Sequence, residues 1–486
     1  MRLHGIKDYL DMVQMLDKYP GIKLTFNLVP SLIEQIDDFI KGSARDKFLE
    51  LSLKPAEVLN GEEKKFILAN FFSISKERVI SLFPRYYELY FKKKAGINFN
   101  TRDYLDLQVW FNLSWFDPLF RDNIAGLKNL VEKGRFFSEE DKQLCLKEQT
   151  EILKQITPAY KKFQDNRQVE VTTSPYYHPI LPLLYNTKIA READIKTVLP
   201  REQFSYPEDV RAQIESAFGF YREKFGVPPV GMWPSEESVS EHILPYIRAS
   251  GINWIVADEA ILFKSLNKKR RDARLIYQPY LLKREEGSLN IVFRDRNLSD
   301  LISFVYHRRD AKDAVADFIQ HLENTYRSFS DGDILVTVAM DGENAWEYFA
   351  NDGHEFLELL YQRLSESSFI KTTTVSEYLK THPPKKNIKR LAAGSWIYGN
   401  FGKWIGNPSK VRAWEWLAQA RGELEKLTSV LPEEKLRQAR KQIYIAEGSD
   451  WFWWYGEDPD GSFDRLFRMH LTNFYAIIDK PAPNFS

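Results

Sequence analysis

Residues 334–340 read ILVTVAM and run directly into Asp341 and Gly342. A continuous apolar run of this length, closed by turn residues, reads as a β-strand buried on both faces. Such strands belong to parallel sheets whose crossovers are helices. Working outward, residues 23–29, 169–174, 231–233 and 254–257 read as further strands. Residues 6–18, 32–40, 207–224, 240–248 and 356–364 carry apolar side chains at helical spacing. Pro207 near the start and Gly226 just past the end frame the longest of these helices. Residues 55–165 alternate Lys-rich and aromatic helical stretches with few β-branched runs, which predicts a mainly helical insertion. THPPKK (381–386) marks a boundary, beyond which residues 411–431 and 433–446 are helical. These patterns predict an α/β fold. At 486 residues they favour a barrel or near-barrel over an open sheet. The opening is unusual, because a helix precedes the first strand where an α/β unit normally begins with a strand.

Composition narrows the function. Lys plus Arg and Asp plus Glu are 68 each, so no net field draws the chain to nucleic acid or an anionic membrane. Hydrophobic content of 43% with mixed charge excludes global disorder. The single Cys145 excludes a disulfide scaffold and a cysteine zinc module, and suits a reducing compartment. The N-terminus shows no apolar signal region, and no stretch approaches the length of a membrane span, so a cytoplasmic location is expected. The 12 Trp, 24 Tyr and 33 Phe supply flat faces that fill cores and also stack on sugar rings.

The motifs for dinucleotides, the P-loop, the serine elbow and the HExxH zinc site are absent. The eight His are scattered without ligand spacing, so no metal is expected. What remains is acids at predicted strand ends, where parallel barrels carry their chemistry: Glu170, Glu236, Asp258 and Asp341. Glycoside cleavage needs two such carboxylates flanking one bond. Each also has an ordinary reading. Asp258 fits a helix N-cap, Asp341-Gly342 fits a tight turn, and Glu170 fits a structural role. Three stretches rich in Gly, Pro and aromatics fit a sugar cleft. They are SPYYHP (174–179) with His178, GSWIYGNFGKWIGNP (394–408) with Trp396 and Trp404, and SDWFWWYGED (449–458) with Asp450 and Trp451.

Together these segments resemble glycoside hydrolase family 57, the α-amylase, amylopullulanase and α-glucanotransferase group, over most of the chain. GMWPSE (231–236) is similar to the family's third motif, which implies Glu236 as nucleophile. MDGENAW (340–346) is similar to the fourth, which implies Asp341 as general acid/base. QVEV (168–171) resembles the second and implies a cleft role for Glu170, and 394–406 resembles the aromatic fifth motif. Trp233, His178, Asp258, Trp396, Trp404, Asp450 and Trp451 are the further expected substrate contacts. The resemblance implies a distorted (β/α)7 TIM-like barrel over 1–380, with the insertion at about 55–165. A C-terminal helical domain over 387–486 would complete the cleft. It implies retaining chemistry on α-glucans with no cofactor.

The chain also departs from the pattern. Family members carry His-Gln-Pro on a first strand upstream of the segment resembling RLHGIKDY (2–9); this sequence has no His-Gln-Pro and is expected to lack that strand. Arg167 stands where the second motif usually has Gly, and Arg296 in RDRNLSD (294–300) stands where the family often has His. The alternatives are a 4-α-glucanotransferase or branching enzyme, a carbohydrate-binding protein without turnover, and a metal-dependent deacetylase or mannosidase on a similar barrel. The missing His/Asp ligand cluster counts against the last. Linkage, chain-length preference and oligomeric state are not legible.

Overall fold

The computed structural model describes residues 1–285, 287–329, 332–459 and 461–485. It is a mixed α/β, helix-rich fold, and among the described residues seven strands are present. β1 (Leu24–Asn27) pairs in parallel with β2 (Val169–Thr172). β3 (Gly231–Met232), β4 (Trp254–Asp258) and β6 (Gly287–Arg294) pair in parallel in that order. A parallel bridge from Thr173 to Met232 joins the two groups, and another joins Arg294 to Thr337. One series of same-direction strands therefore runs β1, β2, β3, β4, β6 and the 334–340 segment. Their C-terminal ends all point one way, and the residues that follow them share a rim.

Local chemistry explains the elements. β2 and β4 bury nearly every residue, as a strand covered on both faces must. Pro30 occupies the first turn of helix Pro30–Lys41, where its missing N–H is no loss. Helix Pro207–Phe225 starts on Pro207 and stops at Gly226, whose φ of 78° is left-handed. The 55–165 region is helical throughout its elements, from Ala56–Val58 to Ile156–Asp165. Asn60, Asn100 and Ser138 each form a capping box there.

Two expectations are corrected. The 334–340 run is half-buried along its length and makes only the isolated bridge at Thr337. Val336, Val338 and Met340 pack against the core of the N-terminal region, while Leu335 packs toward Trp254, Val256 and Val292. It alternates as a strand does, but it bridges β6 at a single position, so it is neither a full strand nor buried on both faces. Secondly, β5 (Tyr280–Arg284) pairs antiparallel with β6, and β7 (Lys386–Asn387) joins β5. The segment read as a boundary thus contributes a short strand, and the hairpin was not foreseen.

Two large apolar cores fill the molecule. One gathers the N-terminal helix, the 55–165 helices, β1, β2 and helices Ala311–Arg327 and His354–Glu366. The other gathers β4, β6, helix Pro207–Phe225 and the C-terminal helices Pro408–Leu427, Glu433–Ala446 and Ser462–Ile477. A buried fork fastens the second core. Arg421 donates from Nε to Asp209 Oδ2 at 2.6 Å and from Nη2 to Asp209 Oδ1 at 3.0 Å, and its guanidinium lies 4.2 Å over the Tyr206 ring. Arg421→Met is expected to destabilise the fold by about 3–5 kcal/mol, because Asp209 keeps its burial and loses its partner. Urea unfolding measures this; a change under about 1 kcal/mol would show the fork to be dispensable. Among the described residues, no helix is long and apolar enough to cross a membrane.

Candidate active site

The residues that follow the C-terminal strand ends converge. After β3 the chain enters Pro234-Ser235-Glu236-Glu237, where Glu236 and Glu237 both adopt left-handed backbone, φ 57° and 49°. Two consecutive non-glycine residues in this region cost of the order of 1–2 kcal/mol each, a strain that persists only where surroundings impose it. The 394–396 segment imposes it. Gly394 pairs with Val239 through both backbone hydrogen bonds, 3.0 and 2.9 Å. A Cβ at Gly394 would meet Gly399 O at 2.3 Å, so only glycine lets the loop close there. That pairing carries Trp396 over the turn. Its backbone N–H donates to Glu236 O at 3.1 Å, and its indole Nε1 donates to Glu236 Oε2 at 2.8 Å. The same residue thus holds both backbone and carboxylate of Glu236.

Around this carboxylate stand several expected partners. Trp233 packs edge-on against Trp396, with centroids 5.3 Å apart. His178 Nδ1 lies 4.0 Å from Glu236 Oε1 and shares a 2.9 Å hydrogen bond with Ser449 Oγ. Burial pulls His178 down to about 4, so the ring is neutral at physiological pH. Burial first, and Asp341 second, push Glu236 up to about 8; the Trp396 hydrogen bond opposes them. Asp450 is raised by burial and then by Asp341, although its surface is open to solvent. An acid that is open to water yet surrounded by protein lies in a concavity. Asp341 is exposed at the same place and acts on both.

Other expected contacts are not brought to this group. Glu170 accepts from Trp254 Nε1 at 2.9 Å and from Ser376 N at 2.9 Å, near the N-terminal ends of the strands, a structural tie. Trp404 is fully buried and its carbonyl accepts from Trp414 Nε1 at 3.0 Å, so its ring serves the core. Trp451 donates to Ile445 O at 2.7 Å and packs on His470 and Phe463, away from Glu236. Asp258 is fully buried, caps its helix through Ala260 N at 2.8 Å and binds both Arg294 and Arg296. It is the helix cap of the ordinary reading and not an open substrate contact, and Arg296 is paired with it.

Three residues escaped the sequence reading. Glu343, two positions after Asp341, is pushed up to about 6 by burial and then by Asp341, and it also acts on Glu236. Its place in the same short acidic segment was the available signal. Glu237 is fully buried, neither of its oxygens has a hydrogen-bond partner among the described residues, and Arg294 Nε stands 4.0 Å away. Burial raises it well above the carboxylate range. Arg294 donates from Nε to Asp258 at 2.9 Å and lies 4.8 Å over the Trp396 ring, so it braces the indole that orients Glu236. Nothing in the sequence pattern marked Glu237 or Arg294.

The fold is similar to a GH57-type branching enzyme from Pyrococcus horikoshii, with a TM-score of 0.62, 17% identity and coverage of 97% of this chain and 83% of that one. It is also similar to the α-amylase AmyC from Thermotoga maritima, with a TM-score of 0.59, 14% identity and coverage of 98% and 88%. In sequence, alpha-amylase 1 of Dictyoglomus thermophilum is 24% identical over 282 residues, 57% of this chain but 34% of that protein. The match thus spans about a third of that relative. The model of glycosyl hydrolase family 57 matches residues 1–390, which include Glu236 and Asp341. The chain belongs to glycosyl hydrolase family 57.

Proposed function

We propose that the chain is a retaining glycoside hydrolase acting on α-glucans, with Glu236 as nucleophile and Asp341 as general acid/base. The observation that carries this is the oriented, half-buried Glu236, held by Trp396 at 2.8 Å and facing the charge of Asp341. The similarity to proteins named α-amylase and branching enzyme supports the substrate class. The strand series supports a distorted (β/α)7-type barrel over 1–380, with the insertion at about 55–165. Trp396 and Asp450 support a cleft completed by the helical region 387–486.

At neutral pH a coupled carboxylate pair holds one proton between its members. The productive state has it on Asp341. The indole hydrogen bond stabilises the ionised Glu236 of that state, against burial and the charge of Asp341, which favour the proton on Glu236. Glu236 attacks the anomeric carbon as Asp341 gives its proton to the departing glycosidic oxygen. A covalent glycosyl-enzyme forms. Asp341, now ionised, takes a proton from water or an acceptor hydroxyl, which displaces Glu236 and restores its carboxylate.

Incubation with maltoheptaose, pullulan and starch tests the reading, with Glu236→Gln as control. Shorter sugars from wild type alone are expected. Longer products from maltoheptaose would mark transfer to an acceptor sugar. Binding of maltooligosaccharide without product by folded protein would overturn the catalytic reading.

A further inference from the structure

Three segments distant in sequence bring two carboxylates and an imidazole together inside the first core. Asp11 lies on the N-terminal helix. Asp117 caps helix Pro118–Asn123 through Leu119 N at 2.7 Å. His354 opens helix His354–Glu366. A ring nitrogen of His354 and one oxygen from each carboxylate all lie within 4.8 Å of one another. Gly353 fixes where that helix begins: its φ is +80°, and a Cβ there would meet the Trp346 ring at 2.7 Å.

Three of the four carboxylates around the cluster have a lysine or an imidazole as partner. Lys7 is bound to Asp352, His4 Nδ1 to Asp8 at 2.8 Å, and His354 Nε2 to Asp117 at 2.9 Å. Asp11 is the fourth carboxylate and has no cation among the described residues. It is 2% exposed, and its Oδ1 has no hydrogen-bond partner. A bare buried carboxylate is costly, and either a proton or a cation must neutralise it.

We propose that Asp11, Asp117 and His354 form a binding site for a divalent transition-metal cation of the Zn2+ or Mn2+ type. One imidazole and two carboxylates match the borderline character of these ions better than that of Ca2+ or Mg2+, which prefer all-oxygen cages. Binding replaces the Nε2 proton of His354, which leaves to solvent, and the ring bonds through that lone pair. Ligand atoms about 2.0–2.2 Å from one tetrahedral ion stand about 3.3–3.6 Å apart. From a spread of at most 4.8 Å, the widest pair closes by about 1 Å, within reach of side-chain rotation. His354 keeps 14% of its side chain exposed and gives the ion an approach. The chief charged neighbours of Asp11 are Asp117, Asp8 and Asp352, not the cleft carboxylates, so the ion would clamp three segments together and not enter the reaction. Sequence spacing cannot reveal such a site, because its ligands lie on separate elements.

The full chain is stripped with a chelator, checked for folding by circular dichroism, and titrated calorimetrically with ZnCl2 and with MnCl2. About one equivalent of one of these ions is expected to bind and to raise the melting temperature. Asp11→Asn and His354→Gln should each weaken binding by more than the about 10–100-fold that loss of an outer-shell partner costs. Ligand-field bands of bound Co2+ give a second readout in wild type alone, and these bands should disappear on addition of Zn2+. A folded, stripped chain that takes up neither ion would overturn the site and leave Asp11 a protonated acid. Uptake unchanged by both substitutions in folded variants would place the ion elsewhere and overturn it equally.

Discussion

Glu236→Gln is expected to leave a folded protein whose turnover of α-glucan falls by at least about 10⁴-fold, or about 5.5 kcal/mol of transition-state stabilisation. The amide has the same shape as the carboxylate and can still accept the Trp396 indole hydrogen bond, so the turn around 234–237 should survive. It cannot attack the anomeric carbon. Stability gives an independent check with a definite sign. Burial and Asp341 hold Glu236 up to about 8, so the folded chain binds more protons than the unfolded one between about pH 4.3 and 8. Wild-type stability attributable to this group therefore falls as pH rises through that window. Glutamine does not titrate, so the variant should match wild type near pH 4 and melt higher near pH 8. An activated glycosyl donor that reacts faster than it is released should leave a sugar adduct on the peptide carrying Glu236, and none on the variant. Undiminished turnover by Glu236→Gln would remove Glu236 from the chemistry.

Much of the fold was legible because it rests on periodicity. The helix from Pro207, the strands at Val169 and Trp254 and the helix Glu433–Ala446 all lie close to where apolar spacing and punctuation put them. The antiparallel β5–β6 hairpin was missed, since no tight-turn signature of the Asn-Gly or Asp-Gly kind separates its two strands. ILVTVAM was over-read: an apolar run reports what can be buried, not how many neighbours pair with it. The site divides in the same way. Glu236 stands 4.0 Å from His178, and Trp233 packs on Trp396, which also binds Glu236, so segments singled out separately in the sequence lie side by side. Trp396 and Trp404 are eight residues apart in one aromatic stretch, yet one binds Glu236 and the other is sealed in the core. Composition cannot tell them apart, because the difference is made by the Gly394–Val239 pairing across the molecule. Glu170 shows the converse case. It lies on the predicted strand, but toward its N-terminal end, where Trp254 and Ser376 bind it.

Asp341→Ala should separate the two halves of the proposed reaction in a way no structural defect can imitate. A glucan leaving group departs as an alkoxide unless it is protonated, so cleavage of maltooligosaccharide should fall by the about 10²–10⁴-fold typical of a lost general acid. Fluoride or dinitrophenolate needs no proton, so the first step on such donors should be nearly unaffected. The glycosyl-enzyme then accumulates, because no base activates water. Azide needs no base; it should restore turnover and yield the α-glycosyl azide, with configuration retained by two inversions. Azide added to Glu236→Ala would instead attack in one step and give the β-azide, which assigns the two carboxylates without ambiguity. The pH profile supplies the remaining check. In wild type, kcat/KM should be bell-shaped, with its basic limb set by loss of the last proton of the pair near the value of about 8 to which Glu236 is held. With Asp341 gone and an activated donor as substrate, no acid is required and the basic limb should vanish. The acidic limb should stay nearly where it was, because Asp341 is protonated there and its charge is not yet present to raise Glu236. Equal losses on glucan and activated donor, no azide product and an unchanged basic limb would together place the acid on another residue, and Glu343, raised by the same neighbours, would be the first to substitute.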